Sequence, residues 1–97
     1  MAITLEQVRL AMNAVAEATP ETRRHALTAL MAAGTELAEL VARQQQWLIK
    51  EDDWLTANHS DPDWDEREER YITRLKKYQD SCTVLGAALE MIGKETT

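Results

Sequence analysis

Apolar positions recur at three- and four-residue intervals from Leu5 to the end of the chain, and no stretch alternates with a period of two, so the pattern predicts helices throughout. Leu5, Val8, Met12 and Val15 form one narrow stripe. Thr4 and Gln7 have capping-box spacing, and Ile3 and Val8 occupy the two hydrophobic-staple positions, which predicts a first helix over residues 4–18. Thr19 can cap a second helix and Pro20 suits its first position, where the missing N–H costs nothing. No further breaker follows before Ala57, so the second helix is expected over 20–57, about 57 Å long at 1.5 Å per residue. After a turn at 58–61, Asp61 caps and Pro62 opens a third helix over 62–92. Gly93 is its natural stop, and 93–97 reads as a frayed tail.

The two long helices carry matching patterns. On the third, Trp64, Tyr71, Tyr78, Leu85 and Ile92 form one heptad row, and Glu68, Leu75, Cys82 and Leu89 the other. On the second, the rows are Ala26, Ala33, Leu40, Trp47 and Trp54; Leu27, Gly34, Val41, Leu48 and Leu55; and Leu30, Leu37, Gln44 and Glu51. Folding the chain at the turn places Trp54 against Trp64, Trp47 against Tyr71, Leu40 against Tyr78 and Ala33 against Leu85 in one constant register, with alanines opposite large residues. This predicts an all-α chain, one helical domain over 1–97, with a short N-terminal helix packed on a long antiparallel hairpin.

A first helix of about 22 Å can cover only the half of that hairpin near the termini. Around the bend, Val41, Leu48, Leu55 and Ile72 are left as an uncovered apolar surface beside Trp47, Trp54 and Trp64. Each large apolar side chain gains about 1.5–3 kcal/mol on burial, so the pattern predicts a covering partner: a second copy completing a four-helix bundle, or else a different protein. In layout the chain resembles small two-helix hairpin proteins that dimerise into four-helix bundles, including the Rop type and the secreted Trp-x-Gly hairpins. Its bend reads Trp54-Leu55-Thr56, without the glycine of the secreted group. The resemblance implies a homodimer.

Composition agrees with helix: 97 residues with no Phe, three glycines and two prolines. No apolar run reaches membrane-spanning length and no leader pattern opens the chain, which sets the expected compartment as cytoplasmic, with no membrane partner. Charge is uneven. Residues 51–69 hold nine acids against Arg67 alone, a local −8; with a chain total of −6, the remainder carries +2. Acids in the first turn of the third helix, Asp63 and Asp65 with the capping Asp61, suit its positive end. Glu51, Asp52 and Asp53 lie near the negative end of the second helix, where no such reason applies. Glu51, Asp52, Asp53, Asp61, Asp63 and Asp65 are therefore the candidate surface for a basic protein partner.

Catalytic, cofactor and metal chemistry find little support. Asp61-Pro62-Asp63-Trp64-Asp65 has the alternating acids of a calcium loop, but Glu66 replaces its glycine and Ile72 its closing glutamate. His59 lies near Asp61 and Asp63 without a second His or Cys in reach. Cys82 sits on the heptad seam as a small hydrophobe, His25 reads as a surface residue, and Gln44 on a core row can fix register. Arg67, Arg70, Arg74, Lys76 and Lys77 form the one basic cluster; Asp63 to Arg67 and Glu66 to Arg70 are helical i,i+4 pairs that match part of it internally. With a pI near 4.8, direct nucleic-acid binding is not expected. The expected function is a non-enzymatic, homodimeric adaptor or inhibitor without cofactor or metal. The alternatives are a nucleic-acid mimic that blocks a DNA- or RNA-binding protein and a metal-dependent enzyme built on His59.

Overall fold

The computed structural model describes residues 2–96 and contains three helices: α1 (Leu5–Ala16), α2 (Arg23–Ala57) and α3 (Trp64–Thr96). The two long helices pack together as a hairpin, and α1 contacts both, giving a rod of 61 × 21 × 20 Å. The fold class is all-α, as the apolar periodicity predicts.

The start of α1 follows from sequence alone. Thr4 N–H donates to Gln7 Oε1 at 2.9 Å and Gln7 N–H to Thr4 Oγ1 at 3.1 Å, closing the capping box. Val8 and Val15, from the predicted stripe, are fully enclosed with Leu30, Leu37, Val84 and Ala88. The start of α1 lies beside Glu36, Glu39 and Arg43 of α2, and its end beside Ala87 and Met91 of α3. It therefore covers one side of the hairpin, over the half nearer the termini.

Three boundaries differ from the pattern. Pro20 does not begin the second helix: Thr19 to Thr22 form a separate turn, in which Thr19 N–H donates to Thr22 Oγ1 at 3.0 Å and Arg23 N–H to the Thr19 carbonyl at 2.9 Å. The paired threonine side chains tie this turn to itself, and regular helix begins at Arg23. At the bend, Asp61 Oδ1 accepts from Asp63 N–H at 2.8 Å, so its side chain organises a turn through Pro62 and α3 begins at Trp64. Gly93 does not stop α3, which continues through Thr96, where the threonine hydroxyl bonds back to the Ile92 carbonyl at 2.9 Å. The frayed tail is thus helical as far as it is described, and Thr97 lies outside the described residues.

The inward face of α3 is also turned from the predicted seam. Leu89 is 55% exposed, while Ser81, Val84 and Ala88 are buried. The cause is α1: packing from the side, it draws the inward direction of α3 toward Val84 and Ala88 and leaves Leu89 beyond its reach. Toward the bend, where α1 is absent, Trp64, Tyr71, Leu75 and Tyr78 keep the predicted half-buried positions.

Candidate functional site

The candidate site is the hairpin end, and its geometry rests on how three tryptophans are held. Trp64 Nε1–H donates to the Leu55 carbonyl at 2.8 Å, and His59 stacks on Trp64 with ring centres 5.4 Å apart. Asn58 Nδ2–H donates to the Trp54 carbonyl at 2.8 Å, satisfying an acceptor that the end of α2 leaves open. The Arg67 guanidinium lies 3.6 Å from the centre of the Trp54 ring, and Arg74 lies 4.2 Å from that of Trp47. Each ring thus has a polar or cationic partner from the turn or from α3.

Contacts across the hairpin, Trp64 to Leu55 and Arg67 to Glu51, fit the predicted register, and arginines reach over the faces of Trp54 and Trp47. One expectation is corrected: the bend is not left wet, because Leu48 and Leu55 are only 7% and 6% exposed within the single chain. Of the four residues expected on an uncovered apolar surface, Leu48 and Leu55 are enclosed by the hairpin itself, Val41 is half-buried and only Ile72 is open, at 44%. The arginines cover the indoles beside them: the Arg67 and Arg74 guanidinium groups lie on the faces of Trp54 and Trp47. A spacing signal was present in the sequence. Trp47 and Trp54 are seven residues apart, as are Arg67 and Arg74, so antiparallel pairing brings one arginine to each tryptophan.

The acids divide into used and unused. Arg67 Nε and an Arg67 terminal nitrogen both lie 2.6 Å from Glu51 Oε1, and the Glu51 side chain is only 12% exposed. Glu51 is therefore an internal partner that holds Arg67 over Trp54, not part of a presented acidic surface. The expected Asp63 to Arg67 pair is replaced by this contact across the hairpin, whereas the Glu66 to Arg70 pair forms on the surface at 3.8 Å. Asp61 is half-buried and engaged in its turn. Asp52, Asp53, Asp63 and Asp65 are exposed, and among the described residues no cation pairs with any of them. Asp65 benefits from the first turn of α3. Asp52 and Asp53, near the end of α2 with no basic residue in its last turn, do not.

One side of the bend carries a shallow groove of about 360 Å³, with Leu55, Trp64, Tyr71 and Ile72 as apolar walls and Asp52 and Glu68 on opposite rims. The opposite side carries a smaller recess of about 240 Å³ between Gln44, Trp47, Arg74 and Lys77. Gln44 Oε1 is buried there with no hydrogen-bond partner among the described residues.

The His59 ring stacks on Trp64, and among the described residues no three His, Cys, Asp or Glu side chains gather closely enough to hold an ion. His25 is exposed and Cys82 half-buried. The Tyr78 phenol is held above its ordinary pKa, first by a side-chain hydrogen bond with Cys82, then by desolvation and by the charge of the same thiol. No helix among the described residues is long and apolar enough to cross a membrane. No protein-family model matches this chain, and neither curated proteins nor solved structures show a match.

Proposed function

We propose that this protein is a non-enzymatic, homodimeric adaptor or inhibitor that presents its acidic hairpin end to a basic segment of another protein. The observation that carries the reading is the state of Asp52 and Asp53. They are exposed, without a cationic neighbour among the described residues, and placed where the α2 dipole disfavours them, so folding gives no account of them. Asp63 and Asp65 extend the same negative end from α3. Surface carboxylates contribute little to stability when unpaired. They do accelerate and orient encounter with a basic partner. Rigid helix ends and a turn tied by Asn58, Asp61 and Trp64 hold these carboxylates in fixed positions, which lowers the entropic cost of recognition. Their confinement to one end of the rod favours this reading over a nucleic-acid mimic, which needs acids spaced along a surface.

The test uses the immobilised protein to capture a binding protein from extracts of its host cell. A triple variant, Asp53→Asn, Asp63→Asn and Asp65→Asn, is expected to keep its helical circular dichroism and to lose capture, and the wild-type complex is expected to weaken steeply as salt rises. Equal capture by the triple variant would overturn the reading.

A further inference from the structure

We infer that the second copy packs on the hairpin face opposite α1 and runs antiparallel to the first, so that the two acidic ends point away from each other. The inference rests on the homodimer proposed above and adds its surface and its polarity. Four large apolar side chains remain open on the long helices: Met31 at 48%, Ile49 at 55%, Ile72 at 44% and Leu89 at 55%. At 100° per residue, Met31 and Ile49 project from the side of α2 opposite Glu36 and Arg43, which flank α1. Ile72 belongs to the groove on the side away from the Trp47 and Arg74 recess, and Leu89 points away from Met91, which flanks α1. All four therefore lie on one face. Between Leu27 and Ile49 on α2 no position on that face is charged, and on α3 between Ile72 and Leu89 the one charge at its edge is Lys76, a turn beyond Ile72.

Two dimers would bury this face in a four-helix bundle with antiparallel neighbours. A two-fold axis along the rod sets the bends side by side; one across the rod sets them at opposite ends. The first puts two segments of local charge −8 together, and like charges at a shared end repel. The second pairs each residue with its mirror position about the axis, as an isologous contact requires: about Ala38, Ile49 meets the half-buried Leu27 and Met31 meets Gln45. Ala38 lies midway between Leu27 and Ile49, and also midway between Arg24 and Asp52, two exposed charges without ion pairs among the described residues. On α3 the midpoint of Ile72 and Leu89 falls between Asp80 and Ser81, within about a turn of the level opposite Ala38 in the hairpin register. Small exposed residues at the centre, Ala38 and Ala42, allow close approach of α2 to its copy. The groove between Asp52 and Glu68 then receives Arg24 of the second copy, leaving Asp53, Asp63 and Asp65 exposed at both ends of one bivalent rod.

The test is double electron–electron resonance on full-length protein carrying Ser60→Cys in a Cys82→Ala background, spin-labelled at the turn, with light scattering on the same sample. The expected result is a dimer with a label separation of about 60 Å, from 1.5 Å per residue on either side of Ala38. A dimer with a separation under about 30 Å would overturn the orientation, and a monomer at 100 µM would overturn the dimer. The pair Met31→Glu and Ile49→Glu is expected to give monomers of unchanged helicity; a dimer surviving both changes would show that another face is used. Arg24→Asp is expected to weaken association at least tenfold and Asp52→Arg in the same chain to restore it, whereas failure to restore would overturn the antiparallel pairing. Met31→Glu, Ile49→Glu and Arg24→Asp leave Asp52, Asp53, Asp63 and Asp65 as they are, so on those variants loss of the dimer and loss of end-on partner binding are read separately.

Discussion

Arg67 lies 3.6 Å from the centre of the Trp54 ring while its guanidinium is bonded to Glu51 at 2.6 Å. One side chain thereby neutralises a nearly enclosed carboxylate and shields an indole that the short α1 cannot reach.

Removing it exposes both partners to their own costs. Arg67→Ala leaves Glu51 unpaired at 12% exposure and uncovers Trp54. The expected loss is about 2–3 kcal/mol, between the small worth of a surface pair and the larger penalty of a broken buried one. Urea denaturation followed by circular dichroism measures it. Glu51→Gln, which removes the charge and keeps the shape, should cost less, and the double variant should fall short of the sum of the singles because they share one contact. Strict additivity would mean that the clamp contributes nothing as a unit.

The enclosure of Leu55 within the single chain makes a second prediction. Leu55→Ala at 6% exposure is expected to cost about 2–4 kcal/mol, whereas Leu10→Ala at 59% exposure should change stability by under about 0.5 kcal/mol. Thermal melts of the two variants at one protein concentration compare them directly. Similar melting temperatures would show that the bend is not packed as described.

Gly34 offers the opposite sign. It is buried in the middle of α2, and a Cβ added there would sit 3.7 Å from Ile92 Cδ1, an ordinary contact distance. Gly34→Ala should therefore stabilise by about 1 kcal/mol through helix propensity and reduced freedom of the unfolded chain. A rise of about 4–8 °C in Tm follows for a domain of this size. A fall would reveal crowding against Ile92.

The sequence by itself determined three helices, the capping box that starts the first, and a hairpin whose ends match in length, because periodicity and caps act over a few residues. The local charge of −8 was equally plain, being a sum over a segment. The tertiary structure alone decided which acids remain available. Glu51 and Asp53 are two residues apart and look alike in the chain, yet at 100° per residue one turns toward Arg67 and the other toward solvent. The same holds for the apolar surface at the bend. Leu48 and Leu55 read as uncovered when only helix lengths were counted, and they are enclosed within the hairpin, where α3 packs on α2 and Arg67 and Arg74 cross onto Trp54 and Trp47. A heptad pattern registers arginine as polar, whereas in three dimensions its long stem and flat cation act as cover. The direction in which α3 faces was likewise set by a contact far away in sequence, with α1 drawing Val84 and Ala88 inward and leaving Leu89 outside.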